Sequence, residues 1–266
     1  MRRVDAKTHE FPWAVAILTD VGGEHYVPAC GGALIHESWV LTAAHCGVNP
    51  RDRLVIGCAD LGAKEHRFVP IDKVVPHPDF DPELLTSDLA LVRLRQPVAD
   101  VPPLEIDDGK GGLVLEGTAT MIGWGSGALG GSFSLKLRKL DVPLSSSPDS
   151  GSSTPKGLLC VDPTNGHVGV STGDSGGPLL LHDSRSSGWI AIGLVSDGAR
   201  RMMMDSHAVD DPDARSDDHS DCDRYTLTAP FTEWIRTTIA ASPQVPRVRP
   251  KPASRAKKPG RVERGL

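Results

Sequence analysis

No stretch of the chain approaches about 18 consecutive apolar residues, so a membrane-spanning helix is excluded. Cysteine is scarce: five in 266 residues is too few for a disulfide-dense scaffold, and no Cys or His spacing gives a zinc pattern. Aromatic residues make up only 5% and apolar residues 39% of the chain, below the usual apolar share. Even so, five Trp, five Phe and the lack of long charged runs before the C-terminal tail argue against global disorder. A secretory signal is also missing. Met1-Arg2-Arg3 resembles the basic start of one, but only Ala14 to Leu18 is continuously apolar, with Pro12 and charged residues before it.

Glycine and proline, by contrast, are plentiful, 28 and 22 residues. That favours short strands joined by tight turns over a helix bundle, whose interior excludes both. The net charge of −5 is unevenly distributed. Residues 243–266 carry eight Lys/Arg and one Glu, or +7, which leaves −12 for residues 1–242. An acidic body of this kind excludes a nucleic-acid-binding core.

Apolar runs of strand type recur along the chain: Trp13–Leu18, Ala33–Ile35 after a break at Gly31-Gly32, Ser38–Thr42, Arg53–Ile56, Phe68–Val75 and Leu89–Leu94. Later ones are Thr118–Trp124, Leu135–Val142, Pro178–Leu181, Trp189–Val195 and Tyr225–Thr228. Many short strands with turn signals between them predict an all-β sandwich or barrel. A single helix is expected at the end, where Phe231, Trp234, Ile235 and Ile239 share one face and Pro230 suits the first turn. Ser145–Thr154 and the Asp-rich Ala199–Asp223 read as surface loops, and the tail after Ser242 as disordered.

Gly173-Asp-Ser-Gly-Gly-Pro178 is the first segment that carries chemistry. Glycines around a serine let the backbone turn sharply and bring N–H groups close to a reacting carbonyl. The same letters fit a plain turn or the nucleophile elbow of α/β-hydrolases. Leu41-Thr-Ala-Ala-His45-Cys46 and Ser87-Asp88-Leu-Ala-Leu-Val-Arg-Leu94 narrow the choice. With Ser175 they supply a nucleophile, a base and a residue to orient it, in the order His, Asp, Ser; an α/β-hydrolase needs the serine first and alternating β/α units. Cys30 and Cys46 bracket fifteen residues, a loop whose closure by a disulfide stabilises by roughly 3 kcal/mol.

Taken together, these segments resemble the trypsin/chymotrypsin-type serine proteases over about residues 5–240. The resemblance runs from Phe11-Pro-Trp13 through Cys30-Gly-Gly-Ala-Leu-Ile35 and Trp39–Cys46 to Asp88–Leu94. It continues through Gly123-Trp-Gly125, Gly173–Pro178 and Gly193-Leu-Val-Ser196 to the helix that bears Trp234. It implies two six-stranded antiparallel barrels, with His45 and Asp88 from the first and Ser175 from the second. It also implies a serine endopeptidase acting through an acyl-enzyme, with an oxyanion hole at the N–H groups of Gly173 and Ser175 and with Ser196 supporting Asp88. The expected organisation is a protease domain over 1–242 and a basic tail over 243–266. A protease-like binding protein with an unformed site and an α/β-hydrolase-type esterase are the alternatives.

On the same basis the chain is expected to need no cofactor or metal and to act on peptide or protein substrates. No nucleic-acid specificity or membrane span is expected, and the protein is expected to be monomeric. Gly169 stands at the base of the primary pocket, where trypsins have Asp, and Gly198 leaves one wall open. Asp223 then becomes the residue that can return a carboxylate to the pocket from the side, giving a Lys/Arg preference; turned outward, it would leave an apolar preference. Ser171 replaces a usual cysteine, so Cys160 and Cys222 are expected to bond instead, with Cys58 left as a buried free thiol. Asp197 replaces a usual tryptophan. A calcium site in the acidic loop lacks alternating ligand spacing, and a solvated loop is expected there.

The resemblance further implies that a freed amino group pairs with Asp174. Counting back from Phe11-Pro-Trp13 places Met1 at the second position of a processed chain. This predicts a secreted protein whose signal and pro-segment lie upstream. As written, the chain would then fold poorly or be inactive for want of a partner to Asp174.

Overall fold

The computed structural model describes residues 3–22, 25–63, 66–111, 115–126, 133–144, 157–161, 169–183, 188–198 and 222–243. A short strand β1 (Val4–Asp5) precedes six strands that close into a barrel: β2 (Ala14–Asp20), β3 (Tyr26–His36), β4 (Trp39–Thr42), β5 (Arg53–Ile56), β6 (Phe68–Pro76) and β7 (Ala90–Leu94). Their order around the barrel is β2-β3-β4-β7-β6-β5. All pairings are antiparallel, with Val40 opposite Val92 and Ala16 opposite Val55. Barrel closure removes the exposed edges that so many short strands would otherwise present.

The second unit comprises β8 (Glu105–Ile106), β9 (Gly117–Gly123), β10 (Arg138–Leu144), β11 (Leu158–Val161), β12 (Pro178–Asp183), β13 (Gly188–Asp197) and β14 (Asp223–Leu227). Among the described residues its sheet runs β1-β10-β9-β12-β13-β14-β11, with β8 added parallel to β13. Six antiparallel strands, β9 to β14, thus form the body of this unit, and β1 and β8 extend it. This is the chymotrypsin-like architecture, and the alternating β/α units of an α/β-hydrolase are not seen among the described residues.

A core of buried side chains joins the two units. Phe11, Trp13 and Leu34 of the first half pack in one cluster with Ile122, Trp124, Leu180 and Ala191 of the second. The Phe11 ring lies 5.6 Å from both Trp13 and Trp189. A second cluster, around Met121, Leu140, Leu179 and Tyr225, fills the second unit.

The C-terminal helix α1 (Thr232–Ala240) follows a single 3-10 turn at Ala229–Phe231 that contains Pro230. Phe231 and Ile235 are buried against Trp39, Leu41, Leu89 and Leu91, with Trp234 and Ile239 partly buried beside them. The helix therefore packs largely on strands of the first barrel.

Two expectations about elements change. Gly31-Gly32 is no break but the middle of β3, and β1, β8 and β11 were not foreseen. The readings of Ser145–Thr154, of residues 199–221 and of the tail from 244 lie outside the described residues.

Candidate active site

His45 lies in a 3-10 turn, Ala44–Cys46, directly after β4. Cys46 is disulfide-bonded to Cys30 of β3, which pins this turn to the barrel. Asp88 sits just before β7 and is fully buried. Its carboxylate accepts three hydrogen bonds. The backbone N–H of His45 donates to Oδ1 at 2.9 Å, the His45 ring Nδ1 lies 2.7 Å from Oδ2, and the Ser196 hydroxyl donates to Oδ2 at 2.5 Å. With Asp88 ionised, the proton of this imidazole belongs on Nδ1, which turns Nε2 and its lone pair away from the carboxylate. The His45 side chain keeps 24% of its surface exposed, so the ring is held but reachable.

The loop that carries Ser175 precedes β12. Its carbonyl accepts the Gly31 N–H of β3 at 2.7 Å and lies 3.8 Å from the Cys46 sulfur. Gly31 permits that contact: a Cβ there would sit 2.9 Å from the Gly177 backbone. Gly31 of β3 thus marks a close approach between the two units. Gly173 adopts a φ of 95°, a conformation that side-chain-bearing residues rarely take. The loop is closed by the Gly177 N–H donating to the Asp174 carbonyl and by the Gly176 N–H donating to the Val195 carbonyl, both at 2.8 Å. His45, Asp88, Ser196 and the backbone of Ser175 are thereby brought to one place.

Asp174, beside the serine, is fully buried, and it does have a partner. The Arg3 guanidinium donates to its Oδ2 at 2.6 Å and to its Oδ1 at 3.1 Å. The expectation of an unpartnered Asp174 is therefore overturned: a side chain near the N-terminus holds it. Ser171 assists, its N–H and hydroxyl each donating to Oδ2 at 2.9 Å. Nothing in the sequence around Arg3 announced this role, because its partner lies 171 residues away.

The residues expected to line a pocket, Gly169, Gly198 and Asp223, lie near one another. Asp223, at the start of β14, is 5% exposed, and its Oδ2 accepts the Val170 N–H at 3.0 Å. A Cβ on Gly169 would lie 2.9 Å from both of its carboxylate oxygens, so the carboxylate lies against Gly169 rather than in solvent. Gly198, after β13, is half-buried beside Val170. Asp197 is paired instead with Arg224 at 2.6 Å.

Cys160 and Cys222 are bonded to each other. Cys58 is free but only half-buried, and burial pushes its thiol above the ordinary 9.0. Cys30, His45 and Cys46 come within 4.8 Å of one another. Cys30 and Cys46 spend their sulfurs on the disulfide, so the cluster offers a metal no thiolate pair.

Comparison with known proteins gives the arrangement its context. The family model described as Trypsin matches residues 2–205. A human protein named serine protease 56 is 35% identical over 248 residues, 87% of this chain and 37% of its own length. The chain thus spans little more than a third of that relative. A trypsin-like protease of Streptomyces glaucescens is 35% identical over 208 residues, 74% of this chain and 72% of its own length. With a family match across most of its length and a chymotrypsin-like fold beneath it, the chain belongs to the trypsin family of serine proteases.

Proposed function

We propose that the protein is a serine endopeptidase in which Ser175, His45 and Asp88 form the catalytic triad. The observation that carries this reading is the buried Asp88 carboxylate, held by the His45 N–H and ring and by Ser196. Ser175 Oγ attacks the peptide carbonyl carbon, and His45 Nε2 accepts its proton. The oxygen of the tetrahedral intermediate is bound by the N–H groups of Gly173 and Ser175. Collapse expels the amine, which takes the proton back from His45, and leaves an acyl-enzyme that water hydrolyses by the same relay. Asp88 stays ionised throughout, holding the ring orientation and offsetting its charge when protonated. Neither a metal nor a cofactor has a role in these steps.

The protease domain spans residues 1–242, with 243–266 a separable basic extension, and it acts as an extracellular monomer on protein or peptide substrates. Two disulfides support the extracellular assignment, and no described helix is long and apolar enough to cross a membrane. The primary pocket takes Lys or Arg, because a substrate cation reaching its base at Gly169 meets the Asp223 carboxylate.

An active-site label tests the central claim. A fluorophosphonate should modify wild type at Ser175 and leave Ser175→Ala untouched. Hydrolysis of ester and peptide substrates should fall on the order of a millionfold in Ser175→Ala, with thermal unfolding unchanged. Equal turnover by the two proteins would end this reading.

A further inference from the structure

Arg3 stands out among the described residues because it is a nearly buried cation far from its chain neighbours' concerns. Its side chain is only 5% exposed and its partner Asp174 fully buried. Burying both charges is favourable only when geometry is good and the remaining polar atoms are satisfied. Here the guanidinium grips Asp174 through both terminal nitrogens, and one of them also donates to the Gly169 carbonyl at 2.9 Å and to the Ser171 hydroxyl at 3.2 Å, while its Nε is buried without a hydrogen-bond partner among the described residues. The other face of the Asp174 carboxylate accepts the Gly125 N–H at 3.0 Å. A Cβ at Gly125 would fall 2.3 Å from that carboxylate, so the site is shaped around it. One side chain therefore ties together both ends of the segment 169–174, which contains Gly173 and leads into Ser175.

We propose that Arg3 is the positioning residue for the oxyanion-binding loop, its fixed side-chain charge making the conformation of Gly173–Ser175 independent of any free amino terminus. The proposal rests on the protease reading given above. Without Arg3, Asp174 would be a buried carboxylate with no cation beside it. It would then draw toward water and carry the adjoining N–H groups of Gly173 and Ser175 with it. A guanidinium also stays charged at any pH the protein tolerates, whereas an α-amino group loses its charge near pH 8, to about a unit. Strand β1 contributes by fixing the backbone just after Arg3: Val4 and Asp5 pair with Lys139 and Arg138 of β10.

The test combines an untouched chain with three substitutions. Wild-type protein whose amino terminus is acetylated or extended by a tag should keep full kcat, and its activity should hold from pH 8 to 10 without an alkaline decline. Arg3→Gln should lose on the order of 100-fold in kcat, with KM changed far less, while Arg3→Lys retains a larger share. Free guanidinium should restore part of the activity of Arg3→Ala. Hydrogen exchange across residues 169–177 should rise in Arg3→Gln while the first barrel stays protected. That last readout separates this proposal from the reading beneath it. A folded but inactive wild type whose 169–177 exchange still depends on Arg3 would sink the protease assignment alone. Wild-type kcat in Arg3→Gln, unchanged exchange, or a loss of activity on blocking the amino terminus would each overturn the role of Arg3.

Discussion

Asp223 offers the most direct way to read specificity from single side chains. Its carboxylate lies against Gly169, the proposed base of the pocket, so Asp223→Asn, which keeps the shape and removes the charge, should lower kcat/KM for Lys and Arg substrates by about 10- to 100-fold. Rates for Phe and Leu substrates should change little. Parallel assays with the four substrates check this, and wild-type cleavage confined to Phe or Leu would contradict it. The residues proposed for the chemistry stand out in the sequence because acyl transfer needs particular atoms in rigid, glycine-rich or apolar settings, and such settings leave local patterns. His45 beside a cysteine, Asp88 ahead of an apolar strand and Ser175 among glycines are patterns of this kind. Arg3 left none. An arginine three residues from the N-terminus looks like a solvated charge until the fold brings it to Asp174. Asp223 was intermediate: its type and position raised the question of a pocket carboxylate, but its direction depended on the tertiary packing of β14 against Gly169 and Val170.

Helix α1 shows how an element with a clear local pattern acquires a titratable neighbour that pattern cannot reveal. The His77 ring packs 5.0 Å from Phe231, edge-on, and 4.8 Å from Trp234. Burial lowers its pKa below 6.5, with Asp79 opposing the shift. Below pH 6.5 the unfolded chain therefore binds more protons at this site than the folded one, so stability falls as the pH drops through that value toward the folded pKa. His77→Gln should flatten this part of the pH dependence when thermal unfolding of variant and wild type is compared between pH 7 and 5. Identical slopes would show that His77 does not couple to folding.

The strands tell a similar story about what sequence carries. Apolar runs in β2, β5, β7 and β13 were visible because one or both faces are buried along their length. β1 and β8 are two residues long, too short for any period, and β11 has no fully buried residue. At Gly31-Gly32 the usual meaning of glycine misled. Gly31 stands where the Gly177 backbone, far along the sequence, comes within 2.9 Å of where a Cβ would be, and Gly32 where the Leu41 carbonyl of the neighbouring β4 does.

For the whole molecule, charge and topology make the testable statements. The sequence separates a body of net −12 from an extension of net +7. Truncation after Ser242 should leave kcat/KM on small substrates unchanged, since none of the triad or pocket residues lies beyond it. The same truncation should abolish retention on an anionic matrix at low salt, a retention that weakens once the screening length drops to about 8 Å near 0.15 M salt. A large fall in small-substrate activity would show that the tail is part of the catalytic unit. The fold also has a consequence in time. Arg3, His45 and Asp88 leave the ribosome well before Asp174 and Ser175, and the hydroxyl that supports Asp88 comes from Ser196. Closing contacts across such sequence distances is slow and cannot begin until the distal partner has been made. On the proposed triad, a growing chain therefore passes most of its synthesis without an assembled cleavage centre. Stalled nascent chains with residues up to Asp174 outside the ribosome should hydrolyse nothing, while those exposing the chain through Pro243 should become reactive toward a serine-directed label. Labelling of the shorter chains would show that the active centre assembles by another route.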